Sequence, residues 1–195
     1  MGSRRLGRKR LYSLDKRGES LTVDQIGTGA GMKDAFVRAN RTREGAFVTV
    51  EMVYDLGTSA AAIASFAAND VIGVDGQSGT IFVATESIFG FLVELEMCIL
   101  EQPLTGDDDL HIYSHTTHVN ANAQGNSNTN TAVDITSADK GMSNAQAMNG
   151  KTFATNDHFY IVSDGSTADT YTAGKLLIKA TGFVIDDGAA SSYGV

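Results

Sequence analysis

Apolar and polar residues alternate along much of this chain with a period of two. In AFVTVEMVYDL (46–56), Val48, Val50, Met52 and Tyr54 share one face, and Phe47, Thr49, Glu51 and Val53 share the other. That pattern predicts a strand, covered in part on both sides. The longest such run is SIFGFLVELEMCILEQP (87–103). Phe89, Phe91, Val93, Leu95, Met97 and Ile99 form a core face, alternating with Leu92, Glu94, Glu96, Cys98 and Leu100. A long strand with a partly acidic outer face is expected, ended by Pro103 and Gly106.

Shorter runs repeat the pattern. VIGV and TIFVA flank DGQSG (75–79), which reads as a hairpin loop. DLHIYSHTTHV (109–119) begins as a strand, HFYIVS (158–163) is another, and Asp164-Gly165 makes a turn. GKLLIKATGFVIDD (174–187) is the last, with Leu176, Ile178, Ala180 and Val184 on one face. The Ala-rich segment 57–70 reads as a short helix or an irregular stretch. Residues 120–150 are dense in Asn, Ser, Thr, Ala and Gly and read as a long polar loop. Seven to nine strands with no repeated helix between them predict an all-β fold, a β-sandwich or jelly-roll-like body.

Composition sharpens this. The 195 residues include 21 Gly, one Pro, one Cys and no Trp, which suits short strands joined by tight turns. Cys98 alone cannot make an intramolecular disulfide, and it lies in an apolar run as a buried thiol would. No apolar stretch reaches the roughly 18–20 residues that span a bilayer. The basic start lacks the hydrophobic segment of a signal peptide.

Charge divides the chain in two. Residues 1–43 hold eleven of the fifteen Lys and Arg against four carboxylates, a net of +7, while residues 44–195 carry −15. Between Glu44 and Asp139 there is no Lys or Arg. The expected organisation is a basic N-terminal arm and transitional segment over 1–43, then an acidic β-body over 44–195. Seven cations, Arg4, Arg5, Arg8, Lys9, Arg10, Lys16 and Arg17, mark the arm as an anchor for an acidic surface. The same residues could neutralise phosphates. A body at −15 would repel a polyanion, and Tyr12 is the arm's one aromatic, so nucleic acid is the weaker partner.

Candidate chemistry is sparse. GTGAG (27–31) resembles a phosphate loop, but no strand precedes it and no Lys-Ser/Thr follows, so it reads as a turn. His111, His115 and His118 would share a helix face, yet HIYSHTTHV favours a strand. There His111 and His115 stand about 13 Å apart and His118 points the other way. Polar packing is expected rather than a metal site, unless a subunit axis gathers copies of one histidine. Asp107, Asp108 and Asp109 lack the EF-hand spacing and read as a solvated or partner-facing loop. No nucleophile or zincin motif is present, and neither an enzyme nor a cofactor is expected.

Three features together carry a resemblance: the opening MGSRRLGRKRLYSLDK, the acidic body poor in Lys and Arg, and the final strand GKLLIKATGF. The chain resembles capsid decoration (cement) and auxiliary head proteins of marine tailed bacteriophages. The resemblance implies a homo-oligomer, a trimer, made in the host cytoplasm and seated on the outer surface of the virion. Its partner would be the major capsid protein, gripped by the terminal arm. A tail or fibre component, including a receptor-binding domain, is the alternative, and a DNA-binding packaging protein is the third.

Overall fold

A computed structural model describes residues 17–58, 62–123, 131–135, 141, 143–147, 156–165 and 168–184. Ten strands and one helical turn are present among them. The strands are β1 (Arg17–Leu21), β2 (Phe36–Glu44), β3 (Phe47–Asp55), β4 (Thr80–Val83), β5 (Phe91–Leu104), β6 (Leu110–His115), β7 (Thr131–Ile135), β8 (Ser143–Ala147), β9 (His158–Ser163) and β10 (Ala173–Phe183). The helical turn, α1, covers Glu86–Phe89.

All pairings are antiparallel. They build a six-stranded sheet, β1-β2-β3-β10-β5-β8, and a four-stranded sheet, β4-β9-β6-β7. Leave out β1 and β2, and two four-stranded sheets remain, β3-β10-β5-β8 and β4-β9-β6-β7. That order, over eight strands taken in sequence, is the connectivity of a jelly roll. The alternation read from sequence is therefore that of two sheets sharing one core. Val48, Val50, Met52 and Tyr54 on β3, Leu95, Met97 and Ile99 on β5, and Leu176, Ile178 and Ala180 on β10 are all buried. They join Phe82, Ile112, Phe159 and Ile161 of the smaller sheet in a single cluster. Each such large side chain contributes roughly 1.5–3 kcal/mol through burial.

The sheets are also tied by polar groups. A register shift between Thr80 and Phe82 leaves Ile81 as a bulge on edge strand β4. Its carbonyl accepts from the Tyr54 hydroxyl of the facing sheet and from Thr28 Oγ1 at 2.8 Å. Burial pushes the Tyr54 hydroxyl well above the ordinary tyrosine pKa.

Several sequence expectations change. The segment read as transitional supplies β1 and β2, with Leu21, Ile26, Met32, Ala35 and Ala39 buried in the core. The polar stretch 120–150 is not one long loop: β7 and β8 lie inside it. Each is the outermost strand of its sheet, where main-chain pairing suffices and large apolar side chains are not needed. The described part of 57–70 is irregular, joined to its surroundings by bridges from Ala64 to Gly73 and Thr170. DGQSG turns the chain, but Val71 and β4 both lie along β9 instead of pairing with each other. GTGAG is held by N–H bonds from Gly29 to Thr80 O and from Gly31 to Ser78 O.

The long strand begins four residues later than its alternation suggests. Ser87 and Phe89 belong to α1, and Gly90 at φ 63° redirects the chain into β5. A second irregularity falls between the pairs Thr181↔Glu94 and Gly182↔Leu92. This bulge at Val93 reverses the inward and outward order before it. Leu92 packs on the core, whereas Phe91 and Val93, expected inside, are exposed.

Candidate interface

The outer face of the six-stranded sheet is built in rows across β3, β10 and β5. The first row is aromatic. Phe183 pairs with Phe47 on one side and Phe91 on the other. The Phe47 and Phe183 rings meet edge to face at 5.7 Å. Yet Phe47 is 56% and Phe91 47% exposed. Two exposed phenylalanines beside exposed Val93 form an apolar patch at this end of the face. Further along, Lys179 stands between Glu51 and Glu96, its Nζ 3.4 Å from Glu96. Lys175 stands between Asp55 at 3.1 Å and Glu101 at 3.4 Å. Each β10 lysine thus separates two carboxylates that would otherwise repel across the sheet. These partners hold the Lys175 ammonium above its usual pKa.

The basic arm joins the body near the aromatic row. Arg17 opens β1 opposite Arg43, in the row Arg43–Val48–Gly182–Leu92, one step from Phe47–Phe183–Phe91. Arg4, Arg5, Arg8, Lys9, Arg10 and Lys16 lie outside the described residues. At the other terminus, Val184 follows Phe183 directly and its N–H donates to Ala46 O. Both described ends of the chain therefore meet the same end of the large sheet. The remaining cations near β1 are partly committed: Arg41 pairs with Glu19 at 3.0 Å and Lys33 with Asp24 at 2.7 Å.

The opposite end of β5 is acidic. There Asp107 is turned inward, 4% exposed. Its N–H donates to Ser65 Oγ, its carbonyl accepts from the Tyr171 hydroxyl, and its Oδ1 accepts from the Asp109 N–H. Burial pushes the Asp107 carboxyl up, against hydrogen bonds from backbone N–H groups. Asp107 is thus a structural clamp for the β5–β6 loop, and only Asp108 and Asp109 are partly open to solvent. The expectation of a solvated or partner-facing loop therefore fails for Asp107.

The histidines regroup. His111 is buried, with its Nε2 3.5 Å from Asp164 Oδ2 near the acidic end. His115 pairs in register with His158 at the far end of β6. Because β6 stops at His115, the chain turns and His118 reaches His158, with ring centroids 6.4 Å apart. His118 therefore does not occupy the opposite strand face that alternation assigned to it. His158 was missed, since nothing in its local sequence marks a site. Burial lowers its pKa, reinforced by the nearby His118 and His115 and opposed by Asp157. Among the described residues, no group of three His, Cys, Asp or Glu side chains is placed to hold a metal ion. No described helix is long and apolar enough to cross a membrane.

Comparison with protein-family models, with curated proteins and with solved structures finds no match to this chain.

Proposed function

We propose that this chain is a virion structural protein that binds the outer surface of a bacteriophage capsid, with the basic arm as its anchor. One observation carries the reading: the arm joins the body beside an exposed aromatic row, Phe47–Phe183–Phe91. A cationic tether next to a flat apolar patch is a binding surface, able to attract an acidic lattice and then bury area against it. Jelly rolls serve such assembly roles, although the fold alone assigns none. The expected stoichiometry is many copies per shell, held by shared contacts rather than by chemistry.

The test is binding of the purified full chain to capsids that lack it, at low and high salt. Saturable binding in high copy number, weakened by salt and by replacing the arm cations with Gln, supports the reading. No binding to shells overturns it. Salt-sensitive DNA binding lost in the Gln variant would favour the packaging role instead. Few copies per particle, located on the tail, would favour a tail or fibre component.

A further inference from the structure

A second apolar cluster lies beneath the polar segment 116–123. Tyr160 and Val162 alternate with Phe159 and Ile161 on β9, so they face outward from the four-stranded sheet, away from the shared core. Both are nevertheless buried, as is Val71, which bridges to Val162. Tyr113 and Val119 pack against them. The segment above is thin. Thr116, Thr117, His118, Asn120 and Asn122 are exposed, and Val119 is its one large apolar side chain. Main-chain bonds to 71–79 hold it: the Gly79 N–H donates to Val119 O at 2.9 Å, the Ala121 N–H to Gln77 O at 2.7 Å and the Asn122 N–H to Val71 O at 3.0 Å. Asn122 Nδ2 also donates to Asp75. A cover with so little packing of its own belongs to the low-stability end of a fold.

One end of the cover is a corner of three histidines. His115 ends β6, His158 opens β9 in register with it, and His118 sits on the turn that follows, 6.4 Å from His158 between ring centroids. Ser78 and Thr80 bring hydroxyls, with Thr80 Oγ1 3.3 Å from His158 Nδ1. Asp157 is the carboxylate that acts on His158. His115 Nδ1 lies 2.9 Å from Thr117 N and 3.0 Å from Thr117 O, so it accepts when neutral and donates when protonated, and that contact survives acid. The approach of His118 to His158 does not: protonated, they are two cations beside His115 with Asp157 alone to offset them. At the other end of the cluster His111 has Asp164 at 3.5 Å, so acid adds attraction there.

We propose that residues 116–123 are an acid-released cover: protonation of His118 and His158 drives the segment off the four-stranded sheet and bares Val71, Tyr160 and Val162, while both sheets stay folded. The direction follows from linkage. Burial, His118 and His115 hold the pKa of His158 below its ordinary value. Lifting the cover returns water to the ring and takes His118 away. The open form therefore binds the proton more tightly and gains population as the pH falls below about 6.5. This device goes beyond capsid binding and does not depend on it.

Amide hydrogen exchange of the full chain, followed by mass spectrometry at about pH 7.5 and about pH 5.5 and expressed as protection factors, tests this. Protection at Val71, Gly79, Ala121 and Asn122 is expected to fall at least roughly fivefold at the lower pH, while amides of β3 and β10 keep theirs. His118→Asn/His158→Asn removes both imidazoles and is expected to give the cover equal protection at the two pH values. Retained protection in β3 and β10 shows that this variant is folded. His118→Asn alone changes an exposed side chain and is expected to lessen the fall, which keeps the test open should the double variant not fold. The proposal is overturned if the cover keeps its protection in acid, if the variants lose as much as the unaltered chain, or if the cover opens only together with β3 and β10. Capsid binding can survive each of those outcomes, so the two readings fail separately.

Discussion

His158 on β9 faces His118 across the end of the smaller sheet, with ring centroids 6.4 Å apart and His115 alongside. Burial and these neighbours lower the pKa of His158 from its ordinary value near 6.5, while Asp157 works the other way. The unfolded chain therefore takes up a proton at this position before the folded one does. Stability contributed here is complete above pH ~6.5 and falls as the pH drops towards the lowered folded value. His158→Asn can keep the polar contact with Thr80, whose Oγ1 lies 3.3 Å from Nδ1, because the Asn amide takes the place of that nitrogen. That variant is expected to lose part of the stability change between pH 7 and 5, measured by urea unfolding at several pH values. An unaltered pH profile would exclude His158 as its source.

The Ile81 carbonyl offers a test of how the two sheets are joined. It accepts from both Tyr54 and Thr28. Tyr54→Phe leaves the Thr28 bond, and Thr28→Val leaves the Tyr54 bond, so each is expected to cost about 1 kcal/mol. Removing both strands a buried carbonyl on a bulge without either donor. The double variant should lose more than the sum of the single losses, by roughly 1 kcal/mol or more. Additive losses in a double-mutant cycle would mean that another group satisfies Ile81.

Gly182 sits in β10 where a Cβ would overlap the backbone carbonyl of Phe89. Backbone at the end of α1 cannot move aside as a flexible side chain could. Gly182→Ala should therefore displace the turn that feeds β5 and cost roughly 1–3 kcal/mol. Thermal or urea unfolding measures it. An unchanged midpoint would show that α1 yields more freely than a packed element should.

Lys179→Met removes the cation between Glu51 and Glu96 while keeping most of the apolar stem. The pairs are partly exposed, so the expected loss is small, about 0.5–1 kcal/mol, and it should shrink in high salt. A loss that does not change with salt would assign the role of Lys179 to packing.

Much of the core was legible because alternation in β3 and β10 is unbroken. Val48 to Tyr54 and Leu176 to Ala180 fall inward as their period requires. The candidate interface was not legible, for a local reason. The bulge at Val93 inserts one residue and exchanges the faces, so Phe91 reads as core and stands on the surface. Strands β7 and β8 escaped notice because outermost strands can be built from TAVDI and SNAQA with little apolar bulk. His158 gained its neighbours from strand pairing and from a turn after His115, and neither can be read from spacing. The jelly-roll order itself depends on which strands pair across long separations, whereas local pattern reports only that strands exist.

The entry of β1 and the exit of β10 lie three strands apart in one sheet, about 14 Å at ordinary strand spacing. With residues 185–195 and 1–16 kept in the linker that joins Val184 to Arg17, the chain could be opened elsewhere without altering the order of strands in space. Such a circular permutant, cut at the β2–β3 turn where Gly45 has open space around it, would keep both sheets while relocating the free ends. It would separate the role of the arm as a sequence from its role as a terminus.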